Sequence, residues 1–221
     1  MSIKAVLFDM DGTLVDSEKV YFTAWGTASS ALGIDLPKEQ IFQFMGRTKQ
    51  ENHTLITELL DGDAARADEL LTFHEQEFLR LADIELELKP GAREALAALH
   101  DMGLPLALAT STHRYLTEPR MALFDLKKEF ETVICGDEIE HGKPAPDIFL
   151  DAAANLNVDP TECVVVEDSF NGINAAHAAG SYVVMIPDLH QPTPEIEELC
   201  DAVLPSLFEL PAFIEDVNSR S

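Results

Sequence analysis

The chain has 221 residues and carries 15 Lys plus Arg against 40 Asp plus Glu, a formal charge of -25. That length fits one large domain or a domain with an insert, and so acidic a chain repels a phosphate backbone, which argues against nucleic-acid binding through an electrostatic footprint. Hydrophobic residues make up 46%, enough for a sizeable core, yet no run reaches the length of a membrane span and the N-terminus shows no basic-then-apolar leader pattern, so a cytoplasmic protein with no membrane partner is expected.

In chain order, Ile3-Lys4-Ala5-Val6-Leu7-Phe8 is a short β-favouring run bounded by Gly and reads as a buried strand. Residues 17–83 change character. Tyr21, Trp25, Ala28 and Leu32, then Leu55, Ile56, Leu59 and Leu60, then Leu70, Leu71, Phe73 and Phe78, recur at helical spacing, and Gly33, Pro37, Gly46 and Asp61-Gly62 punctuate them. This stretch reads as a small all-helical domain. From Lys89-Pro90-Gly91 helix and strand alternate. Helices are expected near 91–101, 114–124, 146–156 and 171–179, with strands at 104–110, 132–135, 163–167 and 181–186. A last strand at 202–204 precedes a terminal helix. Such alternation predicts an α/β fold, a Rossmann-like parallel sheet with helices on both faces. The domain division is therefore 1–16 with 84–221 as the α/β core, and 17–83 as a helical cap inserted after the first strand. Cys135, Cys163 and Cys200 are widely spaced, fit no metal pattern and read as reduced core residues. The seven histidines (His53, His74, His100, His113, His141, His177 and His190) share no metal-ligand spacing and read as surface or satisfied core.

Open parallel sheets bind ligands beyond the carboxyl ends of their strands, and four segments that end strands or begin the loops after them carry polar residues. Asp9 and Asp11 follow the first strand, and residues two apart in extended chain point the same way. Ala107-Leu108-Ala109-Thr110-Ser111-Thr112 ends in three hydroxyls. Gly142-Lys143-Pro144-Ala145-Pro146-Asp147 holds one Lys between rigid residues. Val164-Val165-Val166-Glu167-Asp168-Ser169 ends in two acids. Each has a plain structural explanation: an acidic turn, a helix cap or a solvated loop lysine. Together they converge carboxylates, a cation and a hydroxyl where a ligand would sit. Oxygen donors in this pattern suit a hard cation such as magnesium.

These residues, from Phe8-Asp9-Met10-Asp11-Gly12-Thr13-Leu14-Val15-Asp16-Ser17 to Val166-Glu167-Asp168-Ser169, resemble the haloacid dehalogenase superfamily, and within it the β-phosphoglucomutase-like phosphatases. The resemblance implies a phosphoric monoester hydrolase of the cytoplasm acting on a small phosphorylated metabolite, a sugar phosphate. Asp9 would be the nucleophile, forming an aspartyl-phosphate. Asp11 would protonate the leaving alcohol and then deprotonate water. Thr110 and Lys143 would bind phosphoryl oxygens. Mg2+ would be held by Asp9, the Asp11 backbone carbonyl and Asp168, with Glu167 in support. Substrate contacts are expected from Met10, Ser111, Thr112 and Arg114 in the core and from Gly46, Arg47 and Lys49 in the cap. A hexose-phosphate mutase of the β-phosphoglucomutase type uses the same chemistry and is the alternative. In the mutases a cap His and a cap Lys hold the sugar phosphate, whereas this chain places Tyr21 and Met45 there, which favours hydrolysis. A non-catalytic interaction protein on the same scaffold is disfavoured by the intact set Asp9, Asp11, Lys143 and Asp168. Nothing in the sequence fixes the oligomeric state, and a monomer is the working expectation.

Overall fold

The computed structural model describes residues 2–44, 49–188 and 191–220, with the side chains of Lys49 and Asp83 outside that description. The chain divides into two compact units, Met1–Asp16 with Leu88–Ser221, and Ser17–Glu87.

The first unit is a sheet of six parallel strands: β1 (Ala5–Phe8), β2 (Leu106–Thr110), β3 (Thr132–Cys135), β4 (Cys163–Glu167), β5 (Tyr182–Met185) and β6 (Ala202–Val203), in the order β3-β2-β1-β4-β5-β6. Its helices are α5 (Ala92–Asp101), α6 (Arg114–Leu123), α7 (Asp147–Asn155), α8 (Phe170–Ala179), α9 (Pro194–Glu197) and α10 (Leu210–Ser219). The steps β1 to β2 and β2 to β3 run one way across the sheet, and β3 to β4 and β4 to β5 run the other. Right-handed crossovers then put α5 and α6 on one face and α7 and α8 on the opposite face. Burial follows the two-residue strand period. Leu7, Ala109, Val165 and Val183 pack with Ile148, Phe149 and Ala152 of α7 and Ile173 and Ala176 of α8. Both faces are covered, so β1, β2 and β4 are buried at every residue, as parallel strands require.

Among the described residues the second unit has four helices: α1 (Glu18–Ala31), α2 (Lys38–Phe44), α3 (Lys49–Leu59) and α4 (Ala64–Glu85). Its core joins Trp25 and Ala28 of α1 to Ile41 and Phe44 of α2, Ile56 of α3 and Leu70 of α4. Asp63 caps α4 by accepting from the Arg66 N–H at 3.0 Å. α4 runs two residues beyond the expected end at 83, so the chain re-enters the sheet unit at Leu88. There the Lys89 N–H donates to Leu14 O at 2.9 Å, tying the outgoing and returning strands together.

Cys135 and Cys163 are buried, Cys200 is half-buried, and none forms a disulfide. His74 departs from a satisfied core residue. Its ring stacks on Trp25 with centroids 4.0 Å apart, and Nε2 has no hydrogen-bond partner among the described residues.

Candidate active site

The strand order decides the site. β1 lies between β2 and β4, with Phe8 opposite Leu108 on one side and Val166 on the other. One residue further on, Asp9 is therefore level with Ala109 and Glu167. The direction of the crossovers reverses between β1 and β4, which is the switch point where such sheets bind ligands. Asp9 and Asp168 flank it.

Lys143, from the loop before α7, ties these strands together. Its ammonium, 4% exposed, donates to Asp9 Oδ1 at 2.6 Å, Glu167 Oε1 at 2.7 Å and Ala109 O at 3.1 Å. It also lies 4.9 Å from the Phe149 ring centroid. Burial alone would lower the Lys143 ammonium, but Asp9 and Glu167 outweigh it and hold it raised. Burial pushes the Asp9 carboxyl up to about 8; Lys143 pulls the other way, while Glu167 and Asp11 add to the rise.

Glu167 is immobilised. Besides Lys143 on Oε1, its Oε2 accepts from the N–H groups of Asp168 and Ser169 at 2.9 and 2.8 Å and from Ser169 Oγ at 2.9 Å. Ser169 in turn caps α8, accepting from the Gly172 N–H at 3.1 Å. Asp168 Oδ1 accepts from Thr13 Oγ1 at 3.0 Å. Gly12 makes that approach possible: its φ of +82° suits glycine, and a Cβ there would stand 2.3 Å from Asp168 Oδ2.

Carboxylate oxygens of Asp9, Glu167 and Asp168 lie within 4.8 Å of one another. Three buried acids against one buried ammonium leave negative charge that a hard cation would offset, and the all-oxygen donor set suits Mg2+. With Glu167 already holding four donors, Asp9 and Asp168 are the side chains placed to touch such an ion.

Asp11 stands apart from that group. Its carboxylate accepts from Thr112 Oγ1 at 2.6 Å and from Arg120 Nη1 at 2.7 and 2.9 Å. Thr110 is buried at the end of β2, and its Oγ1 accepts from the Thr112 N–H at 3.1 Å, so it shapes the turn whatever else it binds. Ser111 is exposed beside it. Met10 is fully buried. Arg114, an expected substrate contact, has partners within the fold. Its guanidinium pairs with Glu138 and donates to Val133 O at 2.7 Å, pinning the start of α6 to β3. Gly46 and Arg47 lie outside the described residues, as does the Lys49 side chain.

Thr13, Ser169, Gly172 and Arg120 were not singled out from sequence. Arg120 left a faint trace: Thr117, Arg120 and Met121 share one helical stripe, and all three are buried.

Residues 3–180 match the haloacid dehalogenase-like hydrolase family. The chain belongs to this family. A crystal structure of a putative β-phosphoglucomutase from Thermotoga maritima is similar to the chain, with a TM-score of 0.82 at 30% identity over 97% of this chain and 100% of that one. Among the chain's relatives is the phosphorylated carbohydrates phosphatase of Thermotoga maritima, 35% identical over 178 residues, covering 80% of this chain and 82% of that one. Another is hexitol phosphatase B of Escherichia coli K12, 30% identical over 222 residues and covering 95% of each. A crystal structure of a family hydrolase from Deinococcus radiodurans with bound phosphate and sodium has the same fold, with a TM-score of 0.79 at 28% identity over 97% of this chain and 96% of that one. Among the described residues no helix is long and apolar enough to cross a membrane.

Proposed function

We propose that this family member is a magnesium-dependent phosphatase that hydrolyses a small phosphomonoester, a sugar phosphate, through an aspartyl-phosphate on Asp9. One observation carries the reading: Lys143 bonds to both Asp9 and Glu167 at the switch point of the sheet, with Asp168 alongside. The names of the Thermotoga and Escherichia coli relatives support the substrate class.

Phosphoryl transfer needs positioning and charge neutralisation more than elaborate covalent chemistry. Lys143 holds Asp9 Oδ1, which orients the carboxylate and directs Oδ2 to the phosphorus. The ammonium and the Thr110 hydroxyl offset charge on the phosphoryl oxygens. A divalent cation held by Asp9, the Asp11 backbone carbonyl and Asp168 would supply the positive charge that keeps Asp9 ionised and lets an anionic ester approach. Asp9 attacks the phosphorus, the P–O bond to the alcohol breaks, and Asp11 delivers a proton to the departing oxygen. In the second half Asp11 takes a proton from water, which attacks the phosphorus and frees Asp9. The mutase reading is weaker because position 21 is a tyrosine in an aromatic cluster with Trp25, His74 and Phe78, with no imidazole in its place.

Inorganic phosphate release from p-nitrophenyl phosphate and a panel of sugar phosphates, with MgCl2 and with EDTA, tests the proposal. Wild type should turn over at least one ester only with the metal, and Asp9→Asn should be inactive. Full activity of Asp9→Asn would refute the mechanism. Conversion of β-glucose 1-phosphate to glucose 6-phosphate without phosphate release would replace hydrolysis by mutation of the sugar ester.

A further inference from the structure

The structure sorts the charges of the site into two groups. Lys143 serves Asp9 and Glu167. A second buried cation, Arg120 from the last turn of α6, serves Asp11. Arg120 is 7% exposed, and a buried guanidinium at that depth requires a partner. One partner it has is the carboxylate that the phosphatase reading makes the acid and base.

We infer that Arg120 is a positioning residue for Asp11, and this inference rests on the phosphatase reading above. In an in-line displacement the leaving oxygen departs on the side of phosphorus opposite the nucleophile. The group that protonates it must therefore stand off from Asp9. Arg120 Nη1 contacts both Asp11 oxygens, and Thr112 Oγ1 donates to Oδ2. These three bonds hold the Asp11 carboxylate in place, and it is not one of the clustered Asp9, Glu167 and Asp168 carboxylates. The Thr112 hydroxyl suits both halves of the reaction, because it can donate to the carboxylate and accept from the carboxylic acid. Arg120 touches no reacting atom; it acts through Asp11.

The discriminating measurement is leaving-group dependence. The ratio kcat/KM reports the steps through the first irreversible one, here transfer to Asp9 with departure of the leaving group. A p-nitrophenolate leaves without help, whereas an alkoxide needs the acid, and general acid catalysis contributes about 10²–10⁴-fold. For Arg120→Met, kcat/KM on glucose 6-phosphate, or on whichever alkyl phosphomonoester wild type turns over fastest, should fall about 10–100-fold, the scale of a misplaced catalytic group. On p-nitrophenyl phosphate it should stay within about threefold, because that leaving group bypasses the acid. Arg120→Lys, which keeps the charge and loses the fork, should lie between. Arg120→Lys also serves if Arg120→Met does not fold, with the same selective loss in smaller measure. Equal losses on both esters would mean that Arg120 only supports the fold, and a gain on the alkyl ester would mean that it restrains Asp11; either overturns the inference while leaving phosphatase activity intact. No wild-type turnover of any ester would instead overturn the phosphatase reading, and this inference with it.

Discussion

Adding one methyl group at Gly172 tests how the site is built. Gly172 lies in the first turn of α8, and a Cβ there would stand 1.7 Å from Glu167 Oε1 and 1.9 Å from Cδ. Real Cβ contacts essentially never fall under 3.0 Å, so the two atoms must separate by at least 1.3 Å (3.0 − 1.7). Neither side yields easily. Glu167 is held by four donors, and the α8 turn is held by the bond from the Gly172 N–H to Ser169 Oγ. A shift of that size breaks the 2.7 Å contact with Lys143. Overpacking costs about 1–3 kcal/mol and a charged hydrogen bond about 1.5–3 kcal/mol. Gly172→Ala should therefore lose about 3–5 kcal/mol, roughly 6–20 °C in Tm for a chain of this size. Activity should fall about 100-fold, because Lys143 and Asp9 move with Glu167. Urea melts and phosphate release measure the two effects. In a Glu167→Ala background the clash disappears, so the double variant should be more stable than the sum of the singles by more than about 1 kcal/mol. A Gly172→Ala protein with native Tm and activity would refute the close packing of α8 on Glu167.

Lys143→Met leaves two buried carboxylates unpaired, so stability should fall by about 3–5 kcal/mol and phosphate release should vanish; a stable, active variant in melts and assays would contradict the ion group. MgCl2 should raise the Tm of wild type by mass action, and Asp168→Asn should remove most of that rise in a thermal-shift assay. Burial lowers the His74 imidazole from 6.5 to about 3. Below pH 6.5 the unfolded chain takes up a proton that the folded chain refuses down to about pH 3, so this residue makes stability fall as pH falls through that window. The loss is about 2 kcal/mol by pH 5, and His74→Leu should flatten that part of the urea-melt stability curve. An unchanged slope in His74→Leu would show that other groups govern it.

The fold was legible because buried parallel strands and amphipathic helices write different periods into the chain. Every strand of the sheet was expected within two residues of its observed ends, since runs such as Val164-Val165-Val166 have no other stable environment. Asp9, Lys143, Glu167 and Asp168 were legible because they end strands or sit in the loops that follow them. The pairing of Arg114 is not legible, because sequence shows that an arginine starts α6 but not that Glu138 waits across the turn. Arg120 was missed because a charged residue on a helix is ordinarily solvent-facing.

Local chemistry along the chain determined the element types, the inserted helical segment and the identity of the acids at the strand ends. Tertiary structure decided which charges meet: that β1 lies between β2 and β4, that Lys143 bridges Asp9 and Glu167, and that Arg120 takes Asp11. The physical reason is range. Propensity and periodicity act over a few residues, whereas these pairings join groups 24, 109 and 134 positions apart, brought together only when the sheet closes its core.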